Sequence, residues 1–195
     1  MTIKKLLLGL SLLGSAFAGG IQNQNQSQNP LIPKGWNFYF FGISYHLREG
    51  WKDAPRKLDN SGRWVFNPGI GIGAEWLKSP FERGFRPIAE AGWFQDCGDK
   101  SLYHANVGLR YRYITDGGWS LGFTLGGGIY YAQDWEEGEY KWTGLPIAFL
   151  SLGHTLNLGG YRLLPEINIT YVPENDSISA TSDTDLIFTF ITLSF

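Results

Sequence analysis

The sequence predicts an all-β protein, an eight-stranded antiparallel up-and-down transmembrane β-barrel, and three observations carry that expectation. Eight segments alternate apolar and polar residues over lengths that suit a tilted membrane strand of ~9 to 11 residues. Several of the connections between them follow a short and long rhythm, and the last segment ends the chain on an aromatic residue, Phe195. Glycine at 26 of 195 residues and aromatics at 16% fit short strands, tight turns and aromatic girdles better than helices.

The N-terminus carries Lys4 and Lys5, an apolar run from Leu6 to Leu13, and then Ser15, Ala16, Phe17 and Ala18. A charged start, a short apolar core and small residues at an A-x-A type step predict a secretory signal over residues 1–18. The apolar run is too short to span a bilayer, and no later segment offers the ~18 consecutive apolar residues of a transmembrane helix. Residues 19–36 include Gln22, Asn23, Gln24, Asn25, Gln26, Gln28 and Asn29, which bury nothing, so a flexible periplasmic leader is expected before a barrel over 37–195. A net charge of -2 offers no polybasic footprint, so nucleic acid is not an expected partner.

The expected strands cover residues 37–47, 65–77, 85–95, 102–114, 118–131, 144–155, 161–172 and 185–195. In the fourth, Tyr103, Ala105, Val107, Leu109, Tyr111 and Tyr113 share one face, while His104, Asn106, Gly108, Arg110 and Arg112 share the other. The fifth repeats this with Trp119, Leu121, Phe123, Leu125 and Ile129 outward, and the seventh with Leu163, Ile167, Ile169 and Tyr171 outward. Connections over 78–84, 115–117 and 156–160 are short. Those after the first, fifth and seventh strands are long and polar, including an acidic stretch with Asp134, Glu136, Glu137 and Glu139 that reads as solvated surface. The closing run from Phe190 to Phe195 resembles the assembly signal of outer-membrane barrels. It implies the outer-membrane assembly machinery as a partner and the outer membrane of a Gram-negative-type bacterium as the location.

With both strand termini on the periplasmic side, the inward residues sort by depth. Glu75, Arg86, Glu90, Arg110, Arg112, Arg162 and Glu166 fall in the periplasmic half, where a mutually paired plug is expected. The outer half is lined by bare backbone and apolar side chains, and its candidate pocket residues are Gly42, Ser44, Gly69, Gly71, Phe94, Gly108, Gly126, Phe149 and Phe188. Two readings are open for that half. Either the glycines leave a slot for an acyl chain, which gains ~0.8 kcal/mol per methylene on leaving water, or Phe38, Phe40, Phe149 and Phe188 collapse into the gap. The histidines lie on separate segments and Cys97 is the single cysteine, so neither a metal nor another cofactor is expected, and no intramolecular disulfide can form.

The run Ile43, Ser44, Tyr45, His46 resembles the Ile-Thr-Trp-His signature of the lipid A palmitoyltransferase family, the PagP-like barrels. Further landmarks follow in order: the Gly-rich run from Asn67 to Trp76, Leu121 to Gly126, Leu145-Pro146-Ile147, and Ile169 to Pro173. The resemblance implies an acyltransferase that acts on membrane lipids, with a phospholipid donor and a lipid A acceptor. It maps the family's catalytic His and Asp onto His46 and Asp96 and puts Cys97 where the family has Ser. His46 would then be the general base and Asp96 would orient it. The resemblance also maps an inward glycine that measures chain length onto Gly108, and a monomer is expected. Two alternatives stand beside it. One is a non-enzymatic small barrel for binding, adhesion or small-solute passage. The other is a lipid A deacylase, faintly echoed by His154, Thr155, Leu156 and Asn157.

Overall fold

The computed structural model describes residues 31–48, 55–133, 138–173 and 185–195. The expected signal over 1–18, the leader up to residue 30 and the loop acids Asp134, Glu136 and Glu137 lie outside the described residues.

Nine strands follow in chain order among the described residues: β1 (Gly35–His46), β2 (Trp64–Glu75), β3 (Gly84–Gln95), β4 (Ser101–Ile114), β5 (Trp119–Gln133), β6 (Tyr140–His154), β7 (Leu156–Leu158), β8 (Tyr161–Val172) and β9 (Leu186–Ser194). Each of β1 to β5 pairs antiparallel with the next. β6 pairs with β8, β8 with β9, and β9 with β1, which closes a ring of eight. The short β7 stands outside the ring and pairs with the start of β8 through Gly159 and Gly160, both at positive φ (58° and 88°). Two consecutive positive-φ residues define the type I′ hairpin turn, which glycine enters without steric cost.

Alternation along the strands produces the two faces. On β4, His104, Asn106, Arg110, Arg112 and Ile114 are buried inward, whereas Tyr103, Val107, Leu109 and Tyr113 are exposed outward. Ile70, Ile72, Leu121, Leu125, Ile129, Leu150, Leu152, Ile167 and Ile169 extend the exposed apolar surface around the ring. In water so broad a surface would drive association. On strands that close into a ring it is the lipid-facing band of a membrane barrel. Aromatic pairs flank the band, with Tyr45 against Trp64 and Tyr131 against Trp142 near one end and Phe85 against Tyr111 near the other. Both strand termini and the short turns lie at this second end, which is the periplasmic end in outer-membrane barrels. There Phe195 exchanges backbone hydrogen bonds with Trp36 at 3.0 and 3.1 Å, and its ring stacks on Phe38 at 5.3 Å.

Two sequence expectations are corrected. Phe38 and Phe40 do not face the lumen. Between Phe40 and Gly42 the register shifts by one residue against both neighbouring strands, β1 carrying the extra residue relative to β9 and β2 the extra residue relative to β1. One inserted residue flips side-chain parity. Asn37 and Tyr39 therefore point inward below the bulge, and Gly42, Ser44 and His46 above it. Arg162 is also absent from the lumen. It lies beyond the periplasmic rim, exposed, with its guanidinium 4.5 Å from the centre of the Phe81 ring.

The plug itself is built from three arginines and three glutamates. Glu75 receives Arg110 and Arg112 at 2.9 Å each and Arg86 at 3.2 Å. Arg112 makes a two-pronged contact with Glu166 at 2.9 and 2.5 Å, Ser120 also donates to Glu166 at 2.9 Å, and Arg110 reaches Glu90 at 3.8 Å. All six side chains are almost fully buried, and their formal charges cancel. Neutral, multiply hydrogen-bonded pairing is what allows charges to be held away from water.

Candidate functional site

Above the plug the lumen opens into a cavity of about 190 Å³. Its walls are mostly apolar, with Phe94, Leu102, Ile147, Phe149, Leu186 and Phe188 prominent. At its outer rim lie Ser44, Asn67, Gln95 and Asp96, and at its inner end, next to the plug, Tyr39, Glu90 and Asn106. For scale, an engineered apolar cavity of ~150 Å³ stays dry and takes up benzene. The glycines contribute less open space than the sequence suggests. A Cβ on Gly42 would meet the Phe188 ring at 2.3 Å, and one on Gly69 the Phe94 ring at 2.1 Å, so these rings lie directly over them. Gly71 faces Gly92, and Gly108 faces Gly126, backbone against backbone. Of the nine candidate pocket residues, Ser44, Phe94, Phe149 and Phe188 line the cavity, whereas Gly42, Gly69, Gly71, Gly108 and Gly126 sit behind it.

The wall is incomplete on one side. Pairing between β6 and β8 runs from Gly153↔Glu166 to Phe149↔Thr170 and stops, although β6 continues to Tyr140 and β8 to Val172. Thr170 Oγ1 donates to the carbonyl of Ala148 at 2.7 Å and so satisfies one open acceptor. Pro146 has no N–H to pair. Neighbouring residues of both parities, Pro146 with Ile147 and Tyr171 with Val172, line the cavity here. Strand alternation sends such neighbours to opposite faces, so the cavity reaches through the wall at this seam.

At the rim the fold brings His46 and Cys97 together from opposite sides of β2. His46 Nε2 lies 3.2 Å from Cys97 Sγ, and both residues are fully buried. The thiol is 3.4 Å from Ser44 Oγ and 3.7 Å from Asn67 Nδ2, and Ser44 donates to Asn67 Oδ1. Ser44 and Asn67 line the cavity, while His46 and Cys97 lie one layer behind them. Burial pushes the Cys97 thiol up to about 11, with its hydrogen-bonding contacts to Ser44 and Asn67 opposing only part of that rise. At neutral pH it is a thiol, not a standing thiolate. Asp96 is buried in the turn that holds Cys97, where Oδ1 accepts the backbone N–H of Lys100 at 2.8 Å. That turn is clamped by Arg56, which donates to the Asp96 carbonyl at 2.7 Å and to the Phe66 carbonyl at 3.0 Å and pairs with Asp99.

Asn67 and Arg56 were not legible as site residues. Asn67 sits in the Gly-rich second strand with no local signal, and Arg56 belongs to the connection between β1 and β2. His154, the deacylase candidate, lies at the opposite end of the barrel, against Trp119 and 3.0 Å from the Gly117 carbonyl. No group of three or more His, Cys, Asp or Glu side chains among the described residues could hold a metal ion.

A closed ring of eight tilted strands, apolar outside and filled by a charge-paired plug inside, defines a small outer-membrane β-barrel protein. Solved structures of similar fold are known. The chain is similar to the crystal structure of Neisserial surface protein A, NspA, with 9% identity over 83% of this chain and 94% of that chain and a TM-score of 0.50. It is also similar to the N-terminal β-barrel domain of Pseudomonas aeruginosa OprF (12% identity, 84% and 98% covered, TM-score 0.45). A further similar structure is Ail, the attachment invasion locus protein of Yersinia pestis (13% identity, 84% and 99% covered, TM-score 0.41). At 9% identity the likeness to NspA carries the fold alone. No protein-family model matches the chain, and no curated protein sequence matches it.

Proposed function

We propose that this barrel is a lipid-binding protein of the outer membrane that takes an acyl chain of a membrane lipid into its upper lumen. The observation that carries this reading is the apolar cavity that reaches the bilayer side of the wall where β6 and β8 part. A chain leaving the bilayer gains little from the hydrophobic effect, because lipid tails are already apolar. It gains by filling a void whose walls lack contacts on one side. At about 24 cal/mol per Å³, a cavity of about 190 Å³ offers up to ~4 to 5 kcal/mol to a ligand that fills it. Small-solute passage is disfavoured, because the buried Arg–Glu plug closes the periplasmic half of the lumen. The test is native mass spectrometry of the purified barrel, with extraction and identification of bound lipid. A lipid adduct on the wild type that is lost in Ile147→Trp, which fills the cavity, supports the reading; a lipid-free wild type in the presence of excess phospholipid refutes it.

A second reading, acyl transfer from a phospholipid to lipid A, is favoured by the contact between His46 and Cys97 beside Ser44. A neutral imidazole there can accept a proton from Cys97, which in turn can accept one from the cavity-facing Ser44 hydroxyl, while Asp96 holds the turn. This arrangement differs from the family resemblance, since the group that meets the cavity is Ser44 and the thiol stands behind it. Mass spectrometry of lipid A from cells expressing wild type, His46→Ala and Ser44→Ala tests it. One added acyl chain that vanishes in both variants supports transfer, and an unchanged lipid A with the wild type leaves the binding reading alone.

A further inference from the structure

The inner end of the cavity is chemically unlike its walls. There Glu90 and Asn106, paired across β3 and β4, both line the cavity and are 6% and 7% exposed. Asn106 Nδ2 donates to Glu90 Oε1 at 2.9 Å, Tyr39 OH donates to Glu90 Oε2, and Arg110 approaches the same oxygen at 3.8 Å. A carboxylate has about four lone-pair positions, so with Asn106 and Tyr39 as its hydrogen-bond donors among the described residues Glu90 keeps accepting capacity open. Asn106 Oδ1 is buried and meets no donor at hydrogen-bonding geometry among the described residues. The floor is therefore rich in acceptors and lines the apolar chamber above the plug, with Asn106 Oδ1 leaning over Gly128 and the Tyr130 hydroxyl beside the same amide.

The depth of this floor follows from the register. Glu90 lies five residues along β3 from Gln95 at the rim, roughly 17 Å of strand at ~3.4 Å per residue. A plain methyl-terminated chain reaching it would cover the acceptors without satisfying them, which is the costly way to bury a polar group. A chain bearing a hydroxyl at that depth would donate to Asn106 Oδ1 or Glu90 while its body fills the apolar walls.

Resting on the binding reading above, we propose that the cavity selects an amphiphile whose chain carries a hydroxyl group at its buried end, with Asn106 and Glu90 as the groups that recognise it. The source is a hydroxylated acyl chain or another hydroxyl-tipped lipid chain, and the shared chemistry is a hydrogen-bond donor on an otherwise apolar tail.

The experiment is competition on the full chain reconstituted in phospholipid vesicles, using displacement of a fluorescent fatty acid by dodecanoate and by 12-hydroxydodecanoate. The expected result is about tenfold tighter binding of the hydroxylated probe, and loss of that preference in Asn106→Leu. Equal affinities of the two probes for the wild type, or a preference for the plain chain, overturns the proposal without touching the binding reading. Failure of both probes to displace the fluorophore, with the fluorophore itself unbound, overturns the binding reading and this proposal with it. Should Asn106→Leu fail to fold, the wild-type preference alone decides the matter, and Glu90→Gln, which keeps the shape but turns one of two acceptor oxygens into a donor, supplies the second variant and should weaken the preference.

Discussion

Replacing Arg112 with methionine should cost the barrel ~3 to 5 kcal/mol of stability, and the structure says where that cost arises. Arg112 donates to Glu166 at 2.9 and 2.5 Å, to Glu75 at 2.9 Å and to the Pro80 carbonyl at 3.3 Å, all in a fully buried setting. Glu75 does not become an orphan without it, because Arg110 and Arg86 remain at 2.9 and 3.2 Å. Glu166 does, since Ser120 at 2.9 Å is then its remaining side-chain donor among the described residues and is neutral. Most of the loss is thus the uncompensated Glu166 carboxylate, and a double variant that adds Glu166→Gln should recover at least ~2 kcal/mol of it by removing that charge. Urea unfolding of the barrel refolded into lipid vesicles, followed by tryptophan fluorescence, measures both changes. A loss under ~1 kcal/mol for Arg112→Met, or a double variant less stable than the single one, would refute the view of the plug as a neutral paired network.

Three further expectations concern the upper half. Cys97 should resist thiol reagents at pH 8 in the folded barrel and react at once in denaturant, as followed by mass spectrometry, because it is wholly buried. Its thiol is raised from an ordinary value near 9 to about 11, so the folded state refuses the ionisation that the unfolded chain accepts; its contribution is intact below pH 9 and should be lost progressively as pH rises from 9 to 11. A Cys97→Ser variant should lack that alkaline slope in pH-dependent unfolding. Gly108→Ala should lower stability and leave cavity occupancy little changed in native mass spectrometry, because the new Cβ would meet the Leu125 carbonyl oxygen at 2.5 Å and not the ligand space. Deleting residue 41 should leave the barrel able to refold, as judged by heat-dependent gel migration, since Tyr39, Phe40 and Gly42 would then alternate inward, outward and inward and the rest of β1 would keep its faces.

What the sequence determined by itself is the barrel. Period-two alternation on β4, β5 and β8 and the aromatic close at Phe195 are local properties of the chain, and local patterns are enough to specify strands, faces and topology when every strand pairs with its neighbour. The membership of the plug was legible for the same reason, Arg162 apart, because parity and depth follow from counting residues between turns. Tertiary structure decided the rest. A bulge between Phe40 and Gly42 leaves no mark in composition, yet it turned two phenylalanines out to lipid and Tyr39 in to the cavity floor. Whether an inward glycine makes a hole depends on what leans over it, and Phe94, Phe188 and facing backbone occupy much of that space. The contact of His46 with Cys97, and the placement of Ser44 and Asn67 between them and the cavity, depend on side chains more than twenty residues apart meeting across strands. Such meetings are set by register and packing, which a single strand's pattern does not contain.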